Sequence, residues 1–424
     1  MNQNTTLIGQ LKRDLLNFAE KISDGLTRPK MKFLSHMLYG LLVSQSVMLT
    51  QIGRALHEAI ALKKTEDRLS RNLKAFRQDI GCVRVNYLED IKPLIDNETI
   101  FCIDPGDITK RYSRHQEGLD WIYDASDHKP ALGWYLYEVT ALTHGKKLPI
   151  PVYTQVVSPE DPMSDGQTEQ IIDAIRATQQ VFGAVGIQTM DRGMDTEAIY
   201  EHCIDTEQRF IIRSKVNRRL LIDDEILETI HIAEKMKGKF RIDYTDKHGK
   251  KHRLRVSIRT VRLPSRPDEP LTLVMVCGYD KEPMLLLTNL SIQGKTTCLR
   301  VVKTYLCRWR IEEYYRFKKN QFDLENIRVL SMDSICSMVF LLSVLSGWIA
   351  MFANKQGESL LLAEVLNRAK RVCEIPQFTL YAVADGIYDI LKFATRGIRF
   401  ALLHPPQSQQ LSFFKPSAFN LSAA

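Results

Sequence analysis

Four side chains in the last third of the chain are spaced so that one helix face could hold a metal ion beside a phosphate. In the segment YLCRWRIEEYYRFKK, relative positions 0, 3, 7 and 14 are Tyr305, Arg308, Glu312 and Lys319. At about 100° per residue, these positions fall within roughly 60° of one another on a continuous helix. A carboxylate, two cations and a phenol are a poor stripe for a hydrophobic core. This face therefore predicts phosphate chemistry.

Two further acids follow apolar, strand-like runs earlier in the chain. The run FCID ends at Asp104, and the run GIQTMD ends at Asp191. Cleavage of a phosphodiester needs an activated nucleophile and a stabilised leaving oxygen, and two Mg²⁺ ions about 4 Å apart can supply both. Mg²⁺ prefers carboxylate oxygens and keeps several waters. We therefore predict that Asp104, Asp191 and Glu312 hold two Mg²⁺ ions, which Mn²⁺ can replace.

Each of these acids has a neighbouring carboxylate that could take its place. The three alternatives are, in chain order, Asp107, Asp195 and Glu313. Asp104 is favoured because it closes its strand, and Asp191 because it directly follows an apolar run, although the first could be a turn residue and the second only a helix cap. Glu313 points about 100° away from Glu312 on a helix, off the shared face.

The same residues carry a resemblance to a known family. The pattern Y-x2-R-x3-E-x6-K is met by Tyr305, Arg308, Glu312 and Lys319. A D-R-x-x-D motif begins at Asp191, FIIRSK begins at Phe210, and LLLT begins at Leu285. In this order, over residues 95–350, the chain resembles the DDE transposases of bacterial insertion sequences, in the cut-and-paste group that forms hairpins.

The resemblance implies a function, partners and a location. It implies an enzyme that binds the terminal inverted repeats of its own element, hydrolyses one strand to a 3′-hydroxyl, frees the element and joins that hydroxyl to target DNA. The implied partners are double-stranded DNA and a second copy of the chain, paired as a homodimer in a synaptic complex. The implied location is the bacterial cytoplasm, in association with the nucleoid and without a membrane.

The resemblance also implies roles for individual side chains. Arg308 would contact phosphates as a planar fork and Lys319 as a mobile point charge. Tyr305 would hydrogen-bond a phosphate, and Arg213 would approach the bound DNA. Without the resemblance, the cations would be interpreted as i, i+4 salt bridges. Met284 stands where the family often has a Trp that stacks on a flipped base. A thioether lacks the stacking area of a ring, which leaves open whether a hairpin is formed.

The order of apolar patterns predicts an α/β protein with a ribonuclease-H-like core. Strands begin near Thr99 and are followed by alternating helix and strand, with acids on an early strand, a later strand and a helix. The long β-rich segment before Glu312 predicts an insertion in the core. We expect a helical N-terminal DNA-binding domain over 1–92, a core over 93–215 and 291–365, a β-rich insertion over 216–290, and a C-terminal helical dimerisation region with a flexible tail over 366–424.

The N-terminal region contains a candidate DNA-binding helix. Residues 49–76 have the pattern of a helix, a short basic turn and a second helix that Thr65 would cap. Arg68, Arg71 and Lys74 then line one side of the second helix at spacings of three, as expected for a helix that touches DNA. The alternative is an ordinary solvated helix.

The charge of the chain is concentrated at its two ends. Lys and Arg number 58 against 50 Asp and Glu, a net charge of +8. Residues 1–90 contribute +5 and residues 365–424 contribute +4, so the centre that contains the acids is close to neutral. Basic ends around a neutral centre suit the binding of a polyanion such as DNA.

Cysteines and apolar runs bear on the compartment. The eight cysteines show no C-x-x-C spacing, which favours reduced thiols in a cytosolic protein over disulfides or a zinc site. The N-terminus lacks the features of a signal peptide. The apolar run 335–353 is long enough to span a membrane, but it contains several serines and directly follows the predicted catalytic helix. We predict a buried core helix there, with a membrane protein as the alternative.

Two other functions share part of this evidence. A ribonuclease-H-like nuclease would cut DNA without strand transfer, and a non-catalytic protein could repress transposition by occupying the ends. The presence of all three acids and of the full motif favours the active enzyme.

Overall fold

The protein is a mixed α/β structure built around one large sheet. The computed structural model describes residues 2–124, 128–145, 148–161, 166–246, 249–355, 359–369, 379–394 and 397–398. Within them is one 12-stranded sheet. Helices precede its first strand and follow its last strand in the sequence. The flexible tail predicted for the end of the chain lies outside the described residues.

The first part of the chain is helical, as predicted. Its helices are α1 (Asn2–Ile22), α2 (Arg28–Ser44), α3 (Leu49–Ala55), α4 (Leu62–Ala75) and α5 (Ile80–Ile91). Leu7, Leu11 and Leu15 recur every four residues and are buried, so that α1 presents one apolar face to the core.

The junction between α3 and α4 differs from the prediction. Helix α4 begins at Leu62, so Thr65 lies inside the helix and does not cap it. The Thr65 hydroxyl donates to the Glu58 carboxylate over 2.9 Å, and that carboxylate also accepts from Arg68 over 2.6 Å. The capping prediction is wrong because the hydroxyl bonds to a side chain in the preceding turn and not to a free backbone amide.

The centre of the sheet is a set of neighbouring strands with two helical connections. The strands are β1 (Ile100–Thr109), β2 (Asp120–Asp124), β3 (Lys129–Leu142), β4 (Ile150–Val157), β5 (Ile187–Met190) and β6 (Phe210–Arg213), and the helices are α6 (Gly166–Phe182) and α7 (Glu197–Asp205). Strand β3 is antiparallel to β1, β2 and β4. Strand β1 is parallel to β5, and β5 is parallel to β6. The spatial order is therefore β4-β3-β1-β5-β6.

The β-rich segment extends this same sheet. It contains β7 (Arg219–Ile222), β8 (Glu225–Glu228), α8 (Thr229–Glu234), β9 (Phe240–Thr245), β10 (Lys251–Leu263), β11 (Arg266–Cys277) and β12 (Met284–Thr288). Strand β12 pairs with β6 in the register Leu286 to Arg213, and β11 and β10 follow outward. The edge of the core sheet and the inserted strands are thus joined by backbone hydrogen bonds.

The chain continues with α9 (Lys295–Leu306), α10 (Trp309–Gln321), α11 (Met332–Ala353), α12 (Leu360–Arg368) and α13 (Leu380–Leu391). The predicted continuous helix through the Y-x2-R-x3-E-x6-K motif is wrong, because it is interrupted at Cys307 and Arg308. The amides of Arg308, Arg310 and Ile311 bond to carbonyls three residues back, which tightens the chain into a turn. Tyr305 consequently lies on a different helix from Glu312.

Helix α11 is the central helix of the core. Among the described residues, it is the single helix long and apolar enough to cross a membrane, and 89% of its most apolar stretch is buried inside the protein. Two of its buried serines bond to the preceding turn of the helix: the Ser346 hydroxyl donates to the Leu342 carbonyl over 2.8 Å, and the Ser343 hydroxyl donates to the Val339 carbonyl over 3.0 Å. This burial agrees with the prediction of a core helix.

Candidate active site

The register of two parallel strands brings two predicted acids together. Strand β1 pairs with β5 up to Cys102 and Thr189. Asp104 and Asp191 each follow two residues after this last pair, and the charge of Asp191 is near enough to raise the pKa of the Asp104 carboxyl. Strand β1 does not end at Asp104 as expected but continues to Thr109 against β3. The acid is therefore placed where β1 and β5 separate, not where β1 ends.

Arg308 connects the third acid to the first. Its guanidinium donates to the Asp104 carboxylate over 3.3 Å and to the Glu312 carboxylate over 2.6 Å. The Asp104 and Arg308 side chains are each 15% exposed, whereas Glu312 is 42% exposed. The turn between α9 and α10 thus places a cation between the two carboxylates.

Helix α10 lies directly on β1 at this point. The Tyr315 hydroxyl donates to the backbone carbonyl of Asp104 over 2.5 Å. A Cβ atom at Gly106 would lie 3.1 Å from the Tyr315 ring, which is closer than ordinary contact. The glycine of the FCIDPGD run therefore lets the ring approach the strand and fixes the distance of α10 from β1.

The electrostatics of the site show an excess of negative charge. Burial raises the pKa of the Asp104 carboxyl to about 7; the charge of Arg308 opposes this shift, and the charges of Asp191 and Glu312 add to it. Burial also works against the charged form of Arg308, but the surrounding acids and Tyr305 raise its pKa overall. The single positive charge of Arg308 therefore lies near three carboxylates and does not neutralise all of them.

The structure separates Asp191 from its alternative. The buried Asp195 carboxylate accepts from the Lys215 amide over 2.6 Å and forms an ion pair with Arg218, so it anchors the chain after β6. The Asp191 carboxylate accepts from the Gly193 amide over 2.8 Å and caps a short 3₁₀ turn, while its residue remains partly exposed. Asp191 thus has the capping contact that was its alternative role, in addition to its position beside Asp104.

Lys319 and Asp107 are engaged with each other. The Lys319 ammonium lies 2.7 Å from Asp107 and 2.8 Å from Glu325. The other alternative acid, Glu313, lies 3.1 Å from Arg316 on the outer side of α10. Lys319, the fourth residue of the motif, therefore belongs to a separate ion-pair cluster, which is connected to the site through Asp107 on β1.

Tyr305, Arg213 and Met284 lie on the insertion side of the site. Burial raises the pKa of the Tyr305 hydroxyl, and the positive charges of Arg308 and Arg213 oppose this shift, so both guanidinium groups are near the phenol. Met284 is 4% exposed and belongs to the same hydrophobic cluster as Tyr305. The residue at the family's stacking position is therefore covered, and its side chain does not face solvent.

The predicted DNA-contact residues of α4 fall into two groups. Arg71 and Lys74 are exposed on the surface of the helix. Arg68 is bound to the Glu58 carboxylate and is only partly exposed. Its guanidinium holds the α3–α4 turn, and contact of Arg68, Arg71 and Lys74 with DNA stays a prediction.

The sequence interpretation missed a buried ion pair behind the site. The Lys318 ammonium donates to both oxygens of the Glu138 carboxylate over 2.9 Å, and both side chains are fully buried. Glu138 lies opposite Asp104 in the register of β1 and β3. The signal in the sequence was the Lys318–Lys319 pair, because adjacent residues of a helix point about 100° apart and cannot both face one site.

The three acids have the chemistry of a magnesium site, although they are not arranged as a closed one. Across the described ranges, no group of three or more His, Cys, Asp or Glu side chains is placed to hold a metal ion. The Arg308 guanidinium occupies the space between Asp104 and Glu312. Carboxylate oxygens are nevertheless the ligands that Mg²⁺ prefers. The pKa of Asp104 is raised mainly by burial and further by the charges of Asp191 and Glu312, and a bound cation would relieve this repulsion.

Comparison with known proteins agrees with this geometry. The family described as "Transposase DDE domain" matches residues 96–346, which include all three acids and more than half of the chain. A solved structure entitled "Cryo-EM structure of piggyBac transposase synaptic complex with hairpin DNA" is similar with a TM-score of 0.46 and 11% sequence identity, over 96% of this chain and 83% of that chain. A similarity of this size does not bear on the activity.

Proposed function

Because the chain belongs to the transposase DDE domain family, we propose that it catalyses cut-and-paste transposition of a bacterial insertion sequence of the Y-x2-R-x3-E-x6-K group. The observation that carries the proposal is the convergence of a β1 acid, an acid after β5 and an α10 acid around one guanidinium. These elements are far apart in the sequence, and the family match spans all of them.

The catalytic core is proposed to be ribonuclease-H-like. The sheet order β4-β3-β1-β5-β6, with antiparallel strands first and parallel strands last, supports this fold. The proposed units are residues 1–92 for DNA binding, 93–215 and 291–365 for the core, 216–290 for the insertion, and 366–424 for dimerisation.

Asp104, Asp191 and Glu312 are proposed to hold two Mg²⁺ ions, which Mn²⁺ can replace. When bound, such ions activate the attacking water or hydroxyl and stabilise the leaving oxygen. The chain's own contribution is to hold the carboxylates at fixed positions. The pairing of β1 with β5 places Asp104 near Asp191, and the contact of Tyr315 with β1 fixes the distance of α10 from the sheet.

Arg308 has a second task in this proposal. Its guanidinium forms ion pairs with Asp104 and Glu312. With cations held by these acids, the guanidinium would be released to bind a phosphate, for which its planar fork is suited. Tyr305 and Arg213 lie near this guanidinium and are proposed to contact the same DNA strand, with Lys319 on the flanking phosphates.

The proposed partners are DNA and a second copy of the chain. The DNA comprises the terminal inverted repeats and the target, and the active form is a homodimer in a synaptic complex. The proposed location is the bacterial cytoplasm, on the nucleoid.

The experiment compares Glu312→Gln with Glu313→Gln. Purified protein, Mg²⁺ and a labelled duplex carrying the ends that flank its gene are incubated, and the products are resolved on a denaturing gel. We expect Glu312→Gln to lose at least 100-fold in cleavage while it still binds the duplex. Glu313→Gln should cleave like the wild type, because that carboxylate is paired with Arg316. Full cleavage by Glu312→Gln would refute the proposal.

The same reaction with added target DNA separates a transposase from a nuclease. Joined products are expected, because the liberated 3′-hydroxyl is the nucleophile for strand transfer. A hairpin band would show that the covered Met284 does not prevent the hairpin route. Cleavage without any joined product would instead identify a nuclease.

A further inference from the structure

Two adjoining clefts form one groove that runs from α4 to the loop after β1. The first cleft, of about 830 Å³, is lined by α4 and by the segment before α11. The second, of about 590 Å³, is lined by the loop that follows β1 and by the same segment. Arg328 and Leu330 line both clefts, so the two adjoin. We call this feature the α4–β1 groove; its main lining residues are Arg71, Lys74, Arg328, Leu330, Arg111 and Tyr112.

Three exposed cations of this groove have no carboxylate partner among the described residues. Arg71 donates only to the Asp67 carbonyl over 3.4 Å, Arg328 donates to the Asn326 side-chain oxygen over 3.2 Å, and Lys74 is exposed to solvent. Their positive charge is therefore available to an external anion.

Five carboxylates line the described part of the groove. Asp67 lies 3.0 Å from Lys63, Glu325 lies 2.8 Å from Lys319, and Asp333 lies 3.9 Å from Arg77. Glu66 accepts from the Thr50 hydroxyl over 3.2 Å, and Asp323 accepts from the Asn326 side-chain amide over 2.9 Å. The lining cations are Lys63, Arg71, Lys74, Lys110, Arg111 and Arg328, so the lining carries one more positive than negative charge.

The far end of the groove reaches the candidate active site. The Lys110 ammonium donates to the backbone carbonyls of Glu325 and Ile327 over 2.6 and 2.7 Å, which fixes the loop after β1 to the segment after α10. The Glu325 side chain contacts Lys319, and Lys319 contacts Asp107 on β1. An anionic chain lying in the groove would therefore run from α4 to the ion pairs of Lys319 with Glu325 and Asp107.

We propose that the α4–β1 groove binds the phosphate backbone of the double-stranded DNA segment that lies between the base pairs contacted by α4 and the cleavage point. This inference rests on the proposed function. Separate cations along a groove suit the phosphates of a duplex, whereas proteins that hold single strands offer a series of aromatic platforms. Tyr112, which is 97% exposed, is the one aromatic ring that lines the described part of the groove.

The test uses Arg328→Gln, Lys74→Gln and the double variant. The affinity for a labelled duplex carrying the ends that flank the gene is measured between 50 and 300 mM salt, and an unrelated duplex is measured in parallel. Each lost phosphate contact should reduce the slope of log affinity against log salt by about 0.9, and the double variant by about 1.8. The loss should be similar for both duplexes, because phosphates carry no sequence information.

Arg13→Gln serves as the matched control, because Arg13 is an exposed cation on α1 outside the groove. It should leave the slope unchanged. The inference is overturned if the double variant keeps the wild-type slope while the wild type binds and cuts DNA, an outcome that leaves the proposed function intact. A wild type that does not bind the duplex would overturn both. Unchanged slopes with a shifted monomer–dimer equilibrium would assign the groove to a second copy and also overturn the inference.

Discussion

At the scale of single residues, the candidate site is controlled by a charge imbalance. Asp104 is held in the sheet beside Asp191, and Arg308 is the cation that reaches both Asp104 and Glu312. Carboxylates that repel one another favour the binding of added cations, because a bound cation reduces their repulsion. This property can be measured without any DNA.

The first prediction concerns pH. In the metal-free protein, Asp104 should make the free energy of unfolding decrease as the pH rises from about 4 to about 7. Its pKa is raised to about 7 in the folded protein, so the folded state holds a proton that the unfolded chain has released, and stability falls with rising pH. The effect is at most about 4 kcal/mol. Urea unfolding with a chelator at stepped pH measures it.

The control for this prediction is Asp104→Asn, which cannot titrate and should show a flatter pH profile over the same window. Added Mg²⁺ should raise the melting temperature of the wild type near pH 7.5 and have less effect on Asp104→Asn, because a ligand stabilises the state that binds it. Parallel profiles for the two proteins would contradict the assignment of this pKa.

The second prediction concerns Gly106. Replacement by Ala should push against the partly buried Tyr315 ring and move α10 away from β1. Overpacking of this kind typically costs about 1–3 kcal/mol, and cleavage should fall more than DNA binding. The matched control is Gly81→Ala on α5, where a Cβ meets nothing within 4 Å. Equal cleavage by the two alanine variants would argue against the positioning role of this contact.

At the scale of elements, α10 is the helix that joins the candidate site to the sheet and to the buried core. Its residues point in different directions: Glu312 towards Arg308, Tyr315 and Lys319 towards β1, and Lys318 towards the buried Glu138. A small rotation of this helix would therefore move a carboxylate of the site and break a buried ion pair together.

The third prediction tests the buried pair. Lys318→Met should destabilise the protein by about 3–5 kcal/mol, because it leaves the Glu138 carboxylate buried without its cation. The double variant Lys318→Met with Glu138→Gln should recover part of this loss, since an amide can still accept from the hydroxyls of Thr154 and Ser343. Urea unfolding of the two single variants and the double variant gives the coupling energy. Additive losses would show that the two side chains do not interact.

At the scale of the whole molecule, the N-terminal helices and the catalytic sheet share one hydrophobic core. Buried residues such as Leu38 on α2, Val139 on β3 and Leu345 on α11 belong to the same cluster. Helix α11 packs against α2, α4 and β4. The proposed DNA-binding unit therefore also shields the apolar surface of α11 from water.

The fourth prediction follows from this shared core. A truncated protein that begins at residue 93 should aggregate or lose its tertiary structure, because the apolar surface of α11 would face water. Size-exclusion chromatography and near-ultraviolet circular dichroism measure the outcome. A monodisperse, cooperatively folding fragment would show that the helices are dispensable for the core. The DNA-binding role of α4 is better tested by Arg71→Gln, which changes a surface charge only.

The sequence by itself determined the mixed α/β class of fold and the helical N-terminal region, and it predicted the three acids of the candidate site. Asp104, Asp191 and Glu312 could be selected because carboxylates after apolar strands and on a polar helix face are local signals. The central helix α11 was also predictable, since its uniform hydrophobicity needs no knowledge of its neighbours. The family match over 96–346 agrees with the order of these motifs.

The tertiary structure alone decided which partner each polar group takes. Arg68 bonds to Glu58, Lys319 bonds to Asp107, and Lys318 turns inward to Glu138. The interruption at Cys307 and Arg308, and the joining of β12 to β6, were likewise not readable from local patterns. The physical reason is that a sequence pattern specifies which groups need a partner, whereas the partner is chosen among residues that folding brings together from distant parts of the chain.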